Sequence, residues 1–178
     1  MSVDFQHKLK SLSYKSFYHN QARQFGYDDL FDQKRVVVLS LTMMCSHPSF
    51  MHVQQFDQEF DAICNLGIDG IYVIDSTNGL MPPWLEKHSA QLIGLVDPAC
   101  QFVSAVKEAV DNDKPLDTLA RYWQYMAIID NGSIERFWQV PYKIGMSLVH
   151  YKNSNYQYRG LNPEVLKKYL IDTPQSNK

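Results

Sequence analysis

Cys45, His47 and His52 stand close together in the chain, with Ser46 and Ser49 among them, directly after the apolar run Val36-Val37-Val38-Leu39-Ser40-Leu41. A thiol, hydroxyls and imidazoles between a buried strand and a helix start are the ingredients of nucleophilic or anion-binding chemistry. The first N–H groups of a helix have no internal partners and carry partial positive charge. That field lowers the pKa of a thiol, and the thiolate is the reactive form. Met43 and Met44 precede Cys45, however, and His47 is the one cation available within the loop, so an apolar setting would raise the pKa instead. The residues alone admit both a reactive and an inert Cys45.

The other candidates are weaker. Cys64 and Cys100 are far from Cys45 and from each other, and no Cys-x-x-Cys pair occurs, which argues against a disulfide scaffold or a zinc site. Three separate cysteines suit reduced thiols in a cytoplasmic protein, with Cys64 and Cys100 read as small buried hydrophobes. His47 and His52 have no third ligand near them, so no metal is expected, and His52 reads as a half-buried helix residue. No cofactor is expected either.

The elements that must position this loop follow from hydrophobic period. Residues 1–27 show none and are expected as an N-terminal extension, irregular or a short hairpin laid over the domain. A short helical turn at 28–32 precedes the β-branched strand 36–41, which suits burial on both faces. From Ser49, with Ser49 or Ser46 as cap, Val53, Phe56, Phe60 and Ile63 mark one helix face, and Asn65-Leu66-Gly67 supplies the stop. A second strand at 67–76, a short helix opened by Pro82-Pro83 with Trp84 and Leu85, and a third strand at 92–96 follow. Asp97-Pro98 then starts a helix that turns Phe102, Val103, Val106, Ala109 and Val110 inward.

Asn131-Gly132, between apolar runs at 122–129 and 133–140, predicts a hairpin with a type I′ turn, since that turn needs two positive φ angles. Its aromatic residues Tyr122, Trp123, Tyr125, Phe137, Trp138 and Tyr142 read as sheet core on one face and an exposed patch suited to a dimer surface on the other. Asn162-Pro163 caps a C-terminal helix, and residues 173–178 are expected to fray. Parallel βαβ units closed by an antiparallel hairpin and a last helix predict one α/β domain over residues 1–178. Its layout is a thioredoxin-like sandwich, a central mixed β-sheet flanked by helices.

Composition narrows the partners. The 178 residues are 45% hydrophobic with a formal charge of −2, and the pI is near 6.3. There is no basic excess for nucleic acid, and no window reaches the roughly 18 apolar residues of a membrane span. No nucleic-acid or membrane partner is expected, and the protein is read as cytoplasmic.

Taken together, several stretches resemble the type-five peroxiredoxins of the redoxin family, from Asp29 onward. They are Asp29-Leu30-Phe31 ahead of the strand at 34–39, His52 with Phe56 four residues on, Met81 and Trp84, the Asp97-Pro98 turn with Phe102, and the hairpin at 125–132. The resemblance implies a thioredoxin fold, a homodimer, and a thiol peroxidase that attacks peroxide through a thiolate at a helix N-terminus. In that family a proline, a threonine and the peroxidatic cysteine occupy the loop, and an arginine reaches it from a distant strand.

This chain departs from the pattern at each of those positions. Aligning on His52 and Phe56 places the family's cysteine at Pro48 and its threonine at Cys45, whereas aligning on the strand places the cysteine at Ser49. The motif proline falls on Leu41 or Thr42, and the arginine on Gln124. Neither serine nor proline can form a sulfenic acid. The expectation is a redoxin that has lost the peroxidatic cysteine and works as a binding, regulatory or structural protein with a small-molecule or thiol partner. Its alternatives are a thiol peroxidase using Cys45 as a displaced nucleophile, and an anion binder at residues 46–49.

Overall fold

The computed structural model describes residues 3–18, 21–40, 47–75, 85, 89, 91–97, 99–110, 125–139 and 162–174. Seven strands form a single mixed sheet in the order β2-β1-β5-β4-β3-β6-β7. At its centre β3 (Arg35–Ser40) is buried along its whole length, as expected of a Val-rich strand covered on both faces. It runs parallel to β4 (Gly70–Asp75), from Val36 opposite Gly70 to Ser40 opposite Ile74. On its other side it runs antiparallel to β6 (Tyr125–Asp130). β5 (Ile93–Val96) continues the parallel half.

The predicted hairpin joins β6 to β7 (Ser133–Gln139). Asn131 at φ 47° and Gly132 at φ 74° give the two positive φ angles of its turn. A register shift between Ile128 and Ile129 places an extra residue, Glu135, in β7. Such a bulge re-aims the side chains beside it.

Alternation along the strands divides the core in two. Val36, Val38, Tyr72, Ile74, Ala127 and Ile129 face α1 (Val3–Ser11), α2 (Tyr27–Leu30) and α5 (Gln101–Val110). On the opposite face Val37, Leu39, Ile71, Val73, Met126 and Ile128 meet α3 (His47–Gln58), α4 (Phe60–Cys64) and α6 (Pro163–Asp172). The last helix starts as its sequence dictates, with Pro163 in the first turn and the Asn162 side chain accepting the Val165 N–H at 3.0 Å.

Four expectations are corrected. Residues 1–27 do contain a hairpin, β1 (Tyr14–Tyr18) with β2 (Gln21–Phe25), but β1 pairs with β5 inside the sheet. The preceding α1 buries Phe5 and Leu9. This stretch is therefore built into the core rather than laid over it. Helix α3 starts at His47, so Ser49 lies within the first turn and is not its cap. Val110, expected inward, is exposed at the end of α5, and Ala105 takes the buried place. Trp138 does not contribute to an open aromatic patch, because Tyr169 of α6 packs edge-on against it at 5.4 Å.

Tyr122, Trp123, Tyr142, Ser46 and the residues of the expected helix at 82–84 lie outside the described residues, as do 175–178 of the tail. Among the described residues no helix is long and apolar enough to cross a membrane.

Candidate functional site

The site is framed by three elements that meet at one end of the sheet. β3 ends at Ser40 and α3 begins at His47, so the connecting loop is residues 41–46; Thr42 and Cys45 lie in it, outside the described residues. Across the sheet Ser40 pairs with Tyr125. The chain thus leaves the sheet toward the loop and enters it from Gln124, also outside the described residues, at the same end. β4 and β5 run parallel to β3, so their carboxyl ends share that end too.

Pro48 and Ser49 occupy the first turn of α3. Proline is tolerated there because the first N–H groups have no acceptor within the helix. It nevertheless deletes one of the donors that would hold an anion or a thiolate.

His52 faces inward from the second turn and is fully buried, not half-buried as expected. Its ring meets Phe56 edge-on with centroids 5.0 Å apart. Burial pushes the imidazole down to about 3, so the ring is neutral at physiological pH and supplies no charge to stabilise a thiolate. The four-residue spacing of His52 and Phe56 thus brings the two buried rings together on one face of α3.

Of the remaining cysteines, Cys64 precedes the start of β4, at the opposite end of the sheet, whereas Cys100 follows the carboxyl end of β5. Cys64 closes α4, and burial, helped by Asp61 and Asp69, pushes its thiol up, the reverse of what a nucleophile needs. Cys100 adopts φ 54° in the turn before α5 and packs against the core. Among the described residues no three His, Cys, Asp or Glu side chains are placed to hold a metal ion.

Two polar groups were not singled out by their chemistry. Ser89 Oγ donates to Asp57 of α3 and accepts the Leu92 N–H at 3.0 Å, tying α3 to the start of β5. Asp97, just beyond β5, accepts N–H bonds from Gln101, Phe102 and Val103 at 2.8, 3.0 and 3.3 Å. The Asp-Pro pair was legible as a helix start, but the burial of its carboxylate was not.

Burial raises the Asp97 carboxyl from 3.8 to about 6, against the three N–H bonds that favour its charge. A native state that holds this proton more tightly than the unfolded chain gains most from the group below pH 3.8. That gain is lost as pH rises through about 6. Wild type should therefore gain on the order of 2–3 kcal/mol relative to Asp97→Asn between pH 7.5 and pH 4. Urea unfolding of both proteins at the two pH values measures it, and a difference that does not change with pH refutes it.

No protein-family model matches the chain, and no curated protein matches its sequence. Solved structures do match. Reduced Prx3 of Vibrio vulnificus in complex with hydrogen peroxide is 18% identical over 96% of this chain and 99% of its own, with a TM-score of 0.66. The antioxidant protein of Plasmodium falciparum, a 1-Cys peroxiredoxin, is 16% identical over 86% and 87%, with a TM-score of 0.61. Peroxiredoxin 5 from Alvinella pompejana is 15% identical over 75% and 86%, with a TM-score of 0.57. At these identities the likeness is one of fold: the chain has the thioredoxin-like fold of the peroxiredoxins.

Proposed function

We propose that this chain is a peroxiredoxin-fold protein without the peroxidatic thiol, acting by binding, in a regulatory or structural role. One observation carries the reading. Pro48 and Ser49, the positions on which the resemblance places the nucleophile, both stand in the first turn of α3, and neither has a thiol. A serine hydroxyl is not oxidised to a sulfenic acid, and Pro48 removes a helix donor from the same turn. Gln124, at the family's arginine position, carries no charge to draw a thiolate or a peroxide.

Purified protein supplied with hydrogen peroxide and a thiol reductant is then expected to consume peroxide no faster than an equal concentration of free cysteine. Turnover well above that background overturns the reading. A homodimer and a small-molecule or thiol partner in a reducing cytoplasm belong to the same proposal. Sedimentation of the purified chain tests the dimer.

A second reading has its own support. Because α3 begins at His47 rather than at Ser49, Cys45 is only two residues ahead of the helix. A displaced nucleophile there would feel the helix terminus and show a pKa below about 8.5. Cys45→Ser separates the two: loss of peroxide-dependent sulfenic acid favours the displaced thiol, and unchanged behaviour favours the non-catalytic protein.

A further inference from the structure

At the far end of β3 from the loop, the fold buries a cation without completing its hydrogen bonds. Arg35 is 3% exposed. Its Nε donates to Glu135 Oε2 at 2.7 Å, and its Nη2 donates to Oε1. Nη1 is buried with no hydrogen-bond partner among the described residues. Arg35 shares a strand face with Val37 and Leu39, the face that α6 covers through Leu166 and Leu170. The bulge brings Glu135 to the same side, where Tyr169 of α6 donates to Glu135 Oε1 at 3.1 Å.

A guanidinium nitrogen keeps two N–H donors, and burying them without an acceptor opposes closure of whatever covers them. Lifting α6 would let water reach them. Among the described residues the polar hold of α6 runs through a few side chains. Besides the Tyr169 bond, Lys167 pairs with Glu59 at 2.8 Å, and Arg136 lies over the Tyr169 and Trp138 rings at 5.7 and 5.6 Å. Glu59 is the residue at which α3 passes into α4.

We propose that α6 is a releasable strap, undocking from the sheet in an opening separate from global unfolding and favoured by hydration of Arg35 Nη1. Its release also frees Glu59. The docked or undocked state of the strap thereby reaches the helix whose other end adjoins the Cys45 loop.

Native-state hydrogen exchange on the full chain tests this. Backbone amides of α6 are expected to exchange at least about tenfold faster than those of β3 and β4, with a weaker dependence on denaturant. The pair Arg35→Met with Glu135→Leu also removes the acceptor of Tyr169, so it is made in the Tyr169→Phe background, where it should slow α6 exchange by about tenfold and that of β3 and β4 by less. Tyr169→Phe keeps Arg35 and Glu135 in place and should speed α6 exchange several-fold. It also covers the case in which the combined variant does not fold. Exchange of α6 in step with β3 and β4 overturns the proposal. So does an α6 rate unmoved by these variants, or a crystal structure with an ordered, fully bonded water on Nη1 under a docked α6.

Discussion

Arg35→Ala is expected to destabilise the protein by about 3 kcal/mol, a large share of the roughly 5–15 kcal/mol that holds a domain folded. The loss comes less from the attraction of Arg35 and Glu135 than from what the substitution leaves behind. Glu135 is held by the bulge beneath Tyr169, with its side chain 23% exposed. Without the guanidinium it is a carboxylate in a half-buried site with one phenolic donor. That residual exposure to water keeps the figure at the lower end of what breaking a buried pair costs. Replacing both partners, as Arg35→Met with Glu135→Leu, removes the stranded charge and the unpartnered Nη1 together, so the double variant should unfold within about 1 kcal/mol of wild type or above it. Chemical denaturation followed by circular dichroism compares them. A single variant no worse than the double would mean that the pair is solvated in the native state, and this account would fail.

The same network marks the limit of what the sequence reveals. Valines in succession announce a central strand, because burial on both faces removes the alternation seen at a half-buried one. Asn131-Gly132 and Asn162-Pro163 announce their turn and cap through local backbone chemistry. None of these depends on distant partners. Arg35 does: its carboxylate lies 100 residues away, and the bulge that delivers it leaves no period in β7. A charged residue just before an apolar run reads as a solvated strand end. Helix α1 was hidden for a related reason. Phe5 and Leu9 are buried from it amid mostly polar neighbours, too few to stand out as a stripe although both are core. His52 shows the same limit within the site, since position in a helix beside a loop does not disclose that its ring is sealed against Phe56. Loop chemistry is the converse case. Which residue types occupy 41–49 is plain from the sequence, and it is these types, more than any feature of the fold, on which the proposed loss of peroxidase chemistry rests.

Gly132→Ala is expected to cost about 3 kcal/mol or more, through two effects that can be measured apart. The first is local: Gly132 sits at φ 74° in the β6–β7 turn, where an L side chain carries roughly 1–2 kcal/mol of steric strain. The second reaches across the fold. A Cβ at this position would fall within van der Waals contact of the Tyr27 hydroxyl and 2.8 Å from its Cε2. Tyr27 has little room to retreat. Its ring is buried against Phe31 at 6.1 Å, and its hydroxyl accepts from Gln6 at 2.9 Å and donates to the Asn131 carbonyl at 3.3 Å. The turn is thus docked on α1 and α2, and a methyl group there pushes on both helices. Tyr27→Phe removes the hydroxyl from the collision while leaving the backbone strain, so the cost of Gly132→Ala should fall by about 1 kcal/mol in that background. A double-mutant cycle by urea denaturation reads the coupling. A coupling of zero would show that the turn moves independently of Tyr27, leaving backbone strain as the whole of the cost.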